Sequence, residues 1–216
     1  MDHGFGLDVA EGLAELCRPD RLALVVYDMQ VGIVSQLQDG AQVTRAVASV
    51  LDGARAGGFR VFFTRHMSLP NEVAGASQLR TAKAWQRART VGEVKPSFPR
   101  DSPESQIVRE LEPRTSEAVL DKIAMSAFVG TPLDLALRDC GLVAFAIVGI
   151  ALEVGIEPTV RHGTDLGFVP VVVADACGSR DRAAAERAFA GFAFAGGSLT
   201  TDVATVVPLL RGAHLG

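Results

Sequence analysis

The segment LVAFAIVGIALEVGIEPT, which runs from Leu142 to Thr159, decides the fold of this chain. Its first eight residues carry no charge, a pattern typical of a β-strand buried on both faces of a sheet. The polarity changes after Gly149, so we expect the strand to end there. In an open α/β sheet the ligand crevice lies beyond such strand ends, where the next helix begins with unpaired backbone N–H groups. The sequence therefore predicts that the chemistry takes place around residues 150–155.

Length and composition limit the class of protein. The 216 residues suit one α/β domain, and we expect residues 1–216 to form a single domain. A hydrophobic content of 48% supplies a sizeable core. The 21 basic and 25 acidic residues give a net charge of -4 without a basic cluster, which disfavours nucleic-acid binding. A small-molecule substrate is the expected ligand.

Cysteine usage and apolar run lengths indicate the compartment. Cys17, Cys140 and Cys177 show no CxxC or Cys/His spacing, so we expect reduced thiols and no zinc site. The N-terminal residues MDHGFGLDVAEGL lack a basic region before an apolar core. No apolar run approaches the ~20 residues of a membrane span. The expectation is a cytoplasmic protein without membrane contact.

Strands and helices alternate on both sides of the central strand. Short apolar runs predict further strands at 22–27, 59–64, 118–123, 168–174 and 198–200, and Asp175 is expected to end the fourth of these. Apolar stripes and caps predict helices at 40–57, 78–87, 131–138, 157–166, 180–195 and 202–211. In the helix 131–138, Thr131 is expected as the N-cap and Pro132 as the first helical residue. This rhythm indicates a three-layer α/β/α, Rossmann-like fold with a mostly parallel sheet of five or six strands. The proline-rich segment 70–113 is expected to border the site or a subunit contact.

Three strand ends carry polar or irregular features. Asp28 follows the strand 22–27, Lys122 lies near the end of the strand 118–123, and the turn 150–155 follows the central strand. A single Asp or Lys at a strand end is usually a turn residue or a solvated charge. The carboxyl ends of parallel strands meet at one crevice, however, so we expect Asp28 and Lys122 to lie together and to influence each other's charge.

Three segments resemble the isochorismatase-like hydrolases, a family that includes nicotinamidases, other cysteine amidases and isochorismatases. LVVYDMQ (24–30) resembles the first strand of the family with its Asp-x-Gln. DKIAMSAFVGTPLDLALRDCG (121–141) resembles its Lys…Ser-Ala-Phe-x-Gly-Thr-x-Leu segment, and GIALEVGIEPTVRHGTDLGFVPVVVADACGS (149–179) resembles the segment that carries its nucleophile. The three segments follow the family's order, so the chain is identified as a member.

The resemblance implies an Asp-Lys-Cys triad in which Asp28 and Lys122 match the first two members. The third position falls on Gly155, which has no thiol to attack a carbonyl. Cys177 follows a different strand. Isochorismatases resemble this chain in having glycine there, and they hydrolyse a vinyl ether. By that analogy Asp28 is a general acid/base that must hold a proton near neutral pH, while Lys122 acts on substrate carboxylates or developing charge.

The resemblance also implies features around the triad. A cis peptide is expected between Ile150 and Ala151, and the N–H groups of Ala151 and Gly155 are expected to form an oxyanion site. His66 falls just past a strand, where isochorismatases place a substrate contact. Trp85 is a candidate for the pocket wall or a subunit contact, and Glu153 is a candidate for the pocket. Asp175 is expected to be structural.

The sequence gives less direct indications about a metal, a cofactor and the substrate. The four histidines, His3, His66, His162 and His214, are far apart in sequence, so we expect no metal and no cofactor. The polarity of Leu152 and Glu153 disfavours isochorismate, which leaves a vinyl ether, amide, ester or imide. The family's habit implies a homodimer or homotetramer. Besides a thiol-independent hydrolase, a catalytically silent binding protein and a cysteine amidase with its Cys replaced by Gly stay open.

Overall fold

Eight strands form two sheets in residues 1–212, the part of the chain that the computed structural model describes. β1 (Asp2–Gly4) and β2 (Leu7–Val9) form an N-terminal antiparallel hairpin, which the sequence analysis missed. The other six form one parallel sheet in the order β5-β4-β3-β6-β7-β8, so the predicted fold class is confirmed. These six are β3 (Leu22–Tyr27), β4 (Arg60–His66), β5 (Ala118–Lys122), β6 (Ala144–Ile150), β7 (Val169–Gly178) and β8 (Leu199–Thr201).

Helices cover both faces of the sheet. The α-helices are α1 (Leu13–Leu16), α2 (Val31–Val34), α3 (Gly40–Ala56), α4 (Ala76–Gln86), α5 (Leu133–Asp139), α6 (Glu157–Asp165), α7 (Arg182–Ala195) and α8 (Val203–Gly212). On one face α3 and α8 pack against the sheet, and on the other face lie α5, α6 and α7. No helix within residues 1–212 is long and apolar enough to cross a membrane.

The two central strands are buried along their whole length because helices cover them on both sides. β3 sends Leu22, Leu24 and Val26 into the core under α3 and α8, whereas Ala23 and Val25 enter the opposite core. β6 is likewise buried at all seven positions. Uncharged apolar runs are typical of such strands, which is why both were predictable.

Three boundaries differ from the sequence prediction. β7 does not end at Asp175, because a bulge between Ile147 and Gly149 lets its last residues pair with β6 as far as Gly178. The Asp175 carboxylate accepts the Val203 N–H at 2.8 Å, a structural contact as expected. His66 is the last residue of β4 rather than a residue beyond it. At the third boundary, the residue before α5 is Pro132, which occupies the N-cap instead of the first helical position.

The turn after β6 is irregular. The expected cis peptide between Ile150 and Ala151 is present, and a π-helical turn (Leu152–Ile156) follows before α6 begins. The segment between β4 and β5 contains α4 and three short 3-10 turns, at Val91–Glu93, Pro103–Ser105 and Arg109–Leu111. Both irregular regions lie beyond the carboxyl ends of parallel strands, where ligands bind in open sheets.

Candidate active site

Asp28 and Lys122 form a buried ion pair at the carboxyl edge of the sheet. Lys122 ends β5 and reaches past β4, so that its Nζ lies 2.7 Å from Asp28 Oδ2, with side-chain exposures of 0% and 5%. The same ammonium donates to the Ala124 carbonyl oxygen at 3.2 Å. Asp28 directly follows β3 and has a positive φ of 47°, a conformation that Asp tolerates better than most residues. The sequence prediction that these two residues lie together agrees with this contact, whereas their catalytic roles stay predictions.

Thr64 of β4 completes the surroundings of the carboxylate. Its Oγ1 accepts the Asp28 N–H at 3.2 Å and donates to Asp28 Oδ1 at 2.6 Å. Two donors therefore point at the carboxylate, Lys122 at Oδ2 and Thr64 at Oδ1. Burial lowers the pKa of Lys122, and the Asp28 carboxylate opposes that shift. Lys122 and Thr64 together hold the Asp28 carboxylate in one position.

A cavity of about 130 Å³ opens above this pair. At roughly 10–15 Å³ for each water in this measure, it holds a small molecule together with water. A second cavity of about 430 Å³ adjoins it and shares some of its walls. The residues that line the first cavity are Tyr27, Asp28, Ile33, Gln36, His66, Trp85, Phe98, Met125, Ile150, Ala151, Val154, Gly155 and Arg180. Most of this lining is apolar, so the few polar groups must orient the ligand.

Lys122 does not line the cavity, because its side chain is fully covered beneath Asp28. Lys122 is therefore not placed to touch a substrate carboxylate in this geometry, and its expected action on developing charge stays a prediction. Its ammonium contacts Asp28, the Ala124 carbonyl and the face of Tyr27, whose ring centroid lies 4.3 Å away. Lys122 can orient Asp28 without contacting the ligand.

The backbone after β6 supplies one candidate amide instead of two. Ile150, Ala151 and Gly155 all line the cavity. The Gly155 N–H, however, donates to the Ala151 carbonyl at 3.0 Å within the π-helical turn, so it is not available for an oxyanion. Among residues 1–212 the Ala151 N–H has no acceptor. The expected oxyanion site is thus reduced to Ala151.

No thiol reaches this cavity among the described residues. A side chain at Gly155 would overlap the hydroxyl and ring of Tyr27, so a cysteine does not fit there beside the native tyrosine. Cys177 does not line the cavity, and its Sγ lies 3.7 Å from the Ile147 carbonyl oxygen. Burial raises the pKa of the Cys177 thiol far above its usual value, and Asp175 adds to the shift.

His66 and Trp85 lie on the side of the cavity that faces the irregular segment. Gln30 fixes the His66 backbone: its Oε1 accepts the His66 N–H at 2.6 Å, and its Nε2 donates to the His66 carbonyl at 3.1 Å. The His66 Nδ1 is buried without a hydrogen-bond partner. Burial lowers the pKa of His66, as does the charge of Lys122, while the Asp28 carboxylate acts in the opposite direction. Trp85 of α4 lines both cavities and is 53% exposed.

Glu153 does not line the cavity, contrary to the sequence prediction. Its Oε1 accepts the N–H groups of Arg180 and Asp181, at 2.8 and 3.2 Å, just before α7 begins. The sequence analysis missed Arg180 and Tyr27, which do line the cavity. The guanidinium of Arg180 makes no ion pair within the described part of the chain. The family motif around 149–179 ends just before Arg180, and Tyr27 lies inside LVVYDMQ, so position next to a motif was the available signal.

Metal ligands do not cluster in the described part of the chain. No group of three or more His, Cys, Asp or Glu residues could hold an ion there. The ring of His162 contacts Ser126 at 3.0 Å and that of His3 contacts Asp8 at 2.8 Å, while His214 lies outside the described residues. A metal-independent site stays an expectation.

Comparisons with known proteins place the chain among its relatives. The isochorismatase domain model matches residues 22–204. The ureidoacrylate amidohydrolase RutB of Serratia proteamaculans is 28% identical over 175 residues, which cover 73% of this chain and 70% of the relative. The uncharacterized isochorismatase family protein YwoC of Bacillus subtilis is 31% identical over 156 residues, 72% of this chain and 77% of that protein. The crystal structure of a cysteine hydrolase from Pseudomonas syringae shares the fold, with a TM-score of 0.77, 21% identity and coverage of 90% and 94%.

Proposed function

Because the chain belongs to the isochorismatase family of hydrolases, we propose that it hydrolyses a carbon–nitrogen or carbon–oxygen bond of a small molecule without a cysteine nucleophile. One observation carries the proposal. The Asp28 carboxylate, held by Lys122 and Thr64, lines a cavity that no thiol reaches within residues 1–212. A carboxylate in this setting can activate water directly.

The proposed reaction is a direct attack of water on an acyl carbon. Asp28 takes one proton from the water as the water oxygen bonds to the carbonyl carbon, and the carbonyl electrons move to its oxygen. The Ala151 N–H, which has no acceptor in the described chain, is the donor for that oxyanion. The intermediate then expels the amine or alkoxide, which takes the proton from Asp28. Water is consumed, and an acid and an amine or alcohol are released.

Lys122 and Thr64 favour this base mechanism over vinyl-ether chemistry. A vinyl ether requires a proton to be delivered first, so the carboxyl group would have to begin in its neutral form. Both carboxylate oxygens instead accept a hydrogen bond, Oδ2 from Lys122 and Oδ1 from Thr64. An amide, ureide or ester therefore suits the site better than an enol ether.

The cavity lining favours a small anionic substrate. Arg180 offers a cation without an ion pair among the described residues, while Ile33, Phe98 and Val154 supply apolar walls. A guanidinium recognises a carboxylate through two parallel hydrogen bonds. The Serratia relative is an amidohydrolase of ureidoacrylate, a compound whose name denotes a ureido group and a carboxylate. We propose that the substrate likewise joins a hydrolysable C–N bond to a carboxylate.

The test is a turnover screen with ureido acids, N-acyl amino acids, primary amides, esters and vinyl ethers. Asp28→Asn keeps the size of the side chain but removes the base, so kcat should fall by about 10²–10⁴-fold. Asp52→Asn, an exposed position on α3, is the matched control and should retain wild-type turnover.

Two results would contradict the proposal. Turnover that survives Asp28→Asn unchanged would remove Asp28 from the chemistry. Tight binding of an acid from the panel without any turnover would identify a catalytically silent binding protein.

A further inference from the structure

Tyr27 occupies the space that a side chain at Gly155 would need. A Cβ at Gly155 would overlap the Tyr27 hydroxyl and two carbons of its ring. The tyrosine is 98% buried, since its exposed fraction is 2%, yet it lines the cavity beside Asp28. Gly155 is therefore required by the tyrosine, and the two residues form one packing unit.

The backbone explains how neighbours in sequence reach one cavity. Successive residues of a strand point to opposite faces, and Tyr27 enters the core that holds Ala23 and Val25. Asp28 would point the other way if the strand continued. Its positive φ of 47° breaks the alternation, so both side chains border the same space.

The environment fixes the hydroxyl of Tyr27 as a hydrogen-bond acceptor toward the cavity. The Tyr27 hydroxyl donates to the Met125 carbonyl oxygen, and the Asp28 carboxylate lies within hydrogen-bond reach of the same hydroxyl. Burial raises the pKa of Tyr27 well above its usual value, and the Asp28 carboxylate raises it further through its charge and through a hydrogen bond, so the phenol does not ionise near neutral pH. The oxygen keeps lone pairs that can accept from a water.

We propose that Tyr27 is a catalytic residue that holds the attacking water against Asp28. The water donates one hydrogen to the Asp28 carboxylate and the other to the Tyr27 oxygen, which leaves a lone pair free to attack the substrate. This inference rests on the proposed function, because it assigns the second contact of the same water. No bond to Tyr27 forms or breaks, and the proton transferred in the reaction goes only to Asp28.

The first test is Tyr27→Phe, which removes the hydroxyl and keeps the ring that fills the space beside Gly155. A misplaced water should lower kcat by about 10²-fold. KM should change by less than about threefold, because the hydroxyl is proposed to contact the water and Phe keeps the ring that borders the cavity. Thr44→Val is the matched control, since it also deletes a buried hydroxyl whose proton goes to a backbone carbonyl, that of Gly40 at 2.8 Å. It should leave kcat unchanged.

The outcomes separate this inference from the proposed function. If Asp28→Asn abolishes turnover and Tyr27→Phe keeps the wild-type kcat, the role of Tyr27 is refuted while the hydrolase proposal stands. If Asp28→Asn retains turnover, the proposed function fails. Tyr27→Phe also removes the hydrogen bond to the Met125 carbonyl, so some loss of stability is expected in either case. A fall of kcat in Tyr27→Phe, measured well below its unfolding temperature, supports Tyr27 when Thr44→Val keeps the wild-type kcat. An equal fall of kcat in both variants would refute the role of Tyr27.

A second test needs no substrate. Gly155→Cys should lower the unfolding temperature by about 5 °C or more in the native chain, because the new side chain collides with Tyr27. In a Tyr27→Val background, Gly155→Cys should lower the unfolding temperature by much less. Equal shifts in both backgrounds would show that Tyr27 does not fill this volume, and the inference would be overturned.

Discussion

Asp28 and Lys122 illustrate how burial assigns roles to single residues. Both residues lie at strand ends, but only Asp28 borders the cavity. The Lys122 side chain is covered by Asp28 and by the ring of Tyr27. Removal of either partner leaves an uncompensated buried charge. For that reason Asp28→Asn must be accompanied by an unfolding measurement, so that lost turnover is not mistaken for lost fold.

His66 makes a pH-dependent contribution to stability. Its pKa is lowered by burial and by Lys122, while Asp28 acts in the opposite direction. Because the folded pKa lies below the unfolded value of about 6.5, this stability is fully present above that pH and is lost as pH falls through the folded pKa. His66→Gln should remove this pH-dependent contribution to the free energy of unfolding.

Urea unfolding at several pH values between 8 and 5 measures this effect. Below about pH 6.5 the wild-type protein should lose more free energy of unfolding than His66→Gln. Parallel curves for the two proteins would contradict the assignment of a depressed pKa to His66.

At the scale of elements, the turn after β6 borders the cavity and also contacts the residues that precede α7. Glu153 leaves the cavity and accepts the N–H groups of Arg180 and Asp181 ahead of that helix, where Asp181 also accepts the Ala184 N–H at 2.8 Å. Through Glu153 the turn therefore holds Arg180 at the cavity and binds the backbone N–H groups that precede α7.

Glu153→Ala should lower the free energy of unfolding by about 1–2 kcal/mol, because two backbone donors lose their acceptor. Chemical denaturation provides the measurement. Glu186→Ala, on an exposed turn of α7 where Glu186 pairs with Arg182, is the control and should cost under about 0.5 kcal/mol. Equal losses in the two variants would argue against the capping role of Glu153.

The elements show where sequence reasoning succeeds and where it stops. The apolar runs of β3 and β6 were predictable because buried strands need no polar alternation. The end of β7 was not, since a bulge depends on pairing with β6. The direction of Glu153 depends on a π-helical turn, and the approach of Tyr27 to Gly155 depends on the φ of Asp28. Neither conformation leaves a local pattern in the sequence.

At the scale of the molecule, the site lies between the carboxyl edge of the sheet and the irregular segment that contains α4. Gln30 links the two, because its Nε2 donates to the carbonyls of both His66 and Ser105 at 3.1 Å. The larger second cavity lies on the α4 side and gives a substrate room to extend beyond the reacting group. A homodimer or homotetramer stays a prediction.

Thiol-independent hydrolysis is tested most directly by measuring kcat before and after exhaustive treatment of the native enzyme with iodoacetamide. Burial raises the pKa of Cys17 to about 11 and that of Cys177 further, and neither residue lines the cavity. Mass spectrometry reports which thiols are alkylated. Cys140 and Cys177 are both partly exposed, whereas Cys17 is buried. We predict an unchanged kcat after labelling of either partly exposed thiol. A loss of turnover in proportion to the labelling of Cys177 would contradict hydrolysis by Asp28 and water.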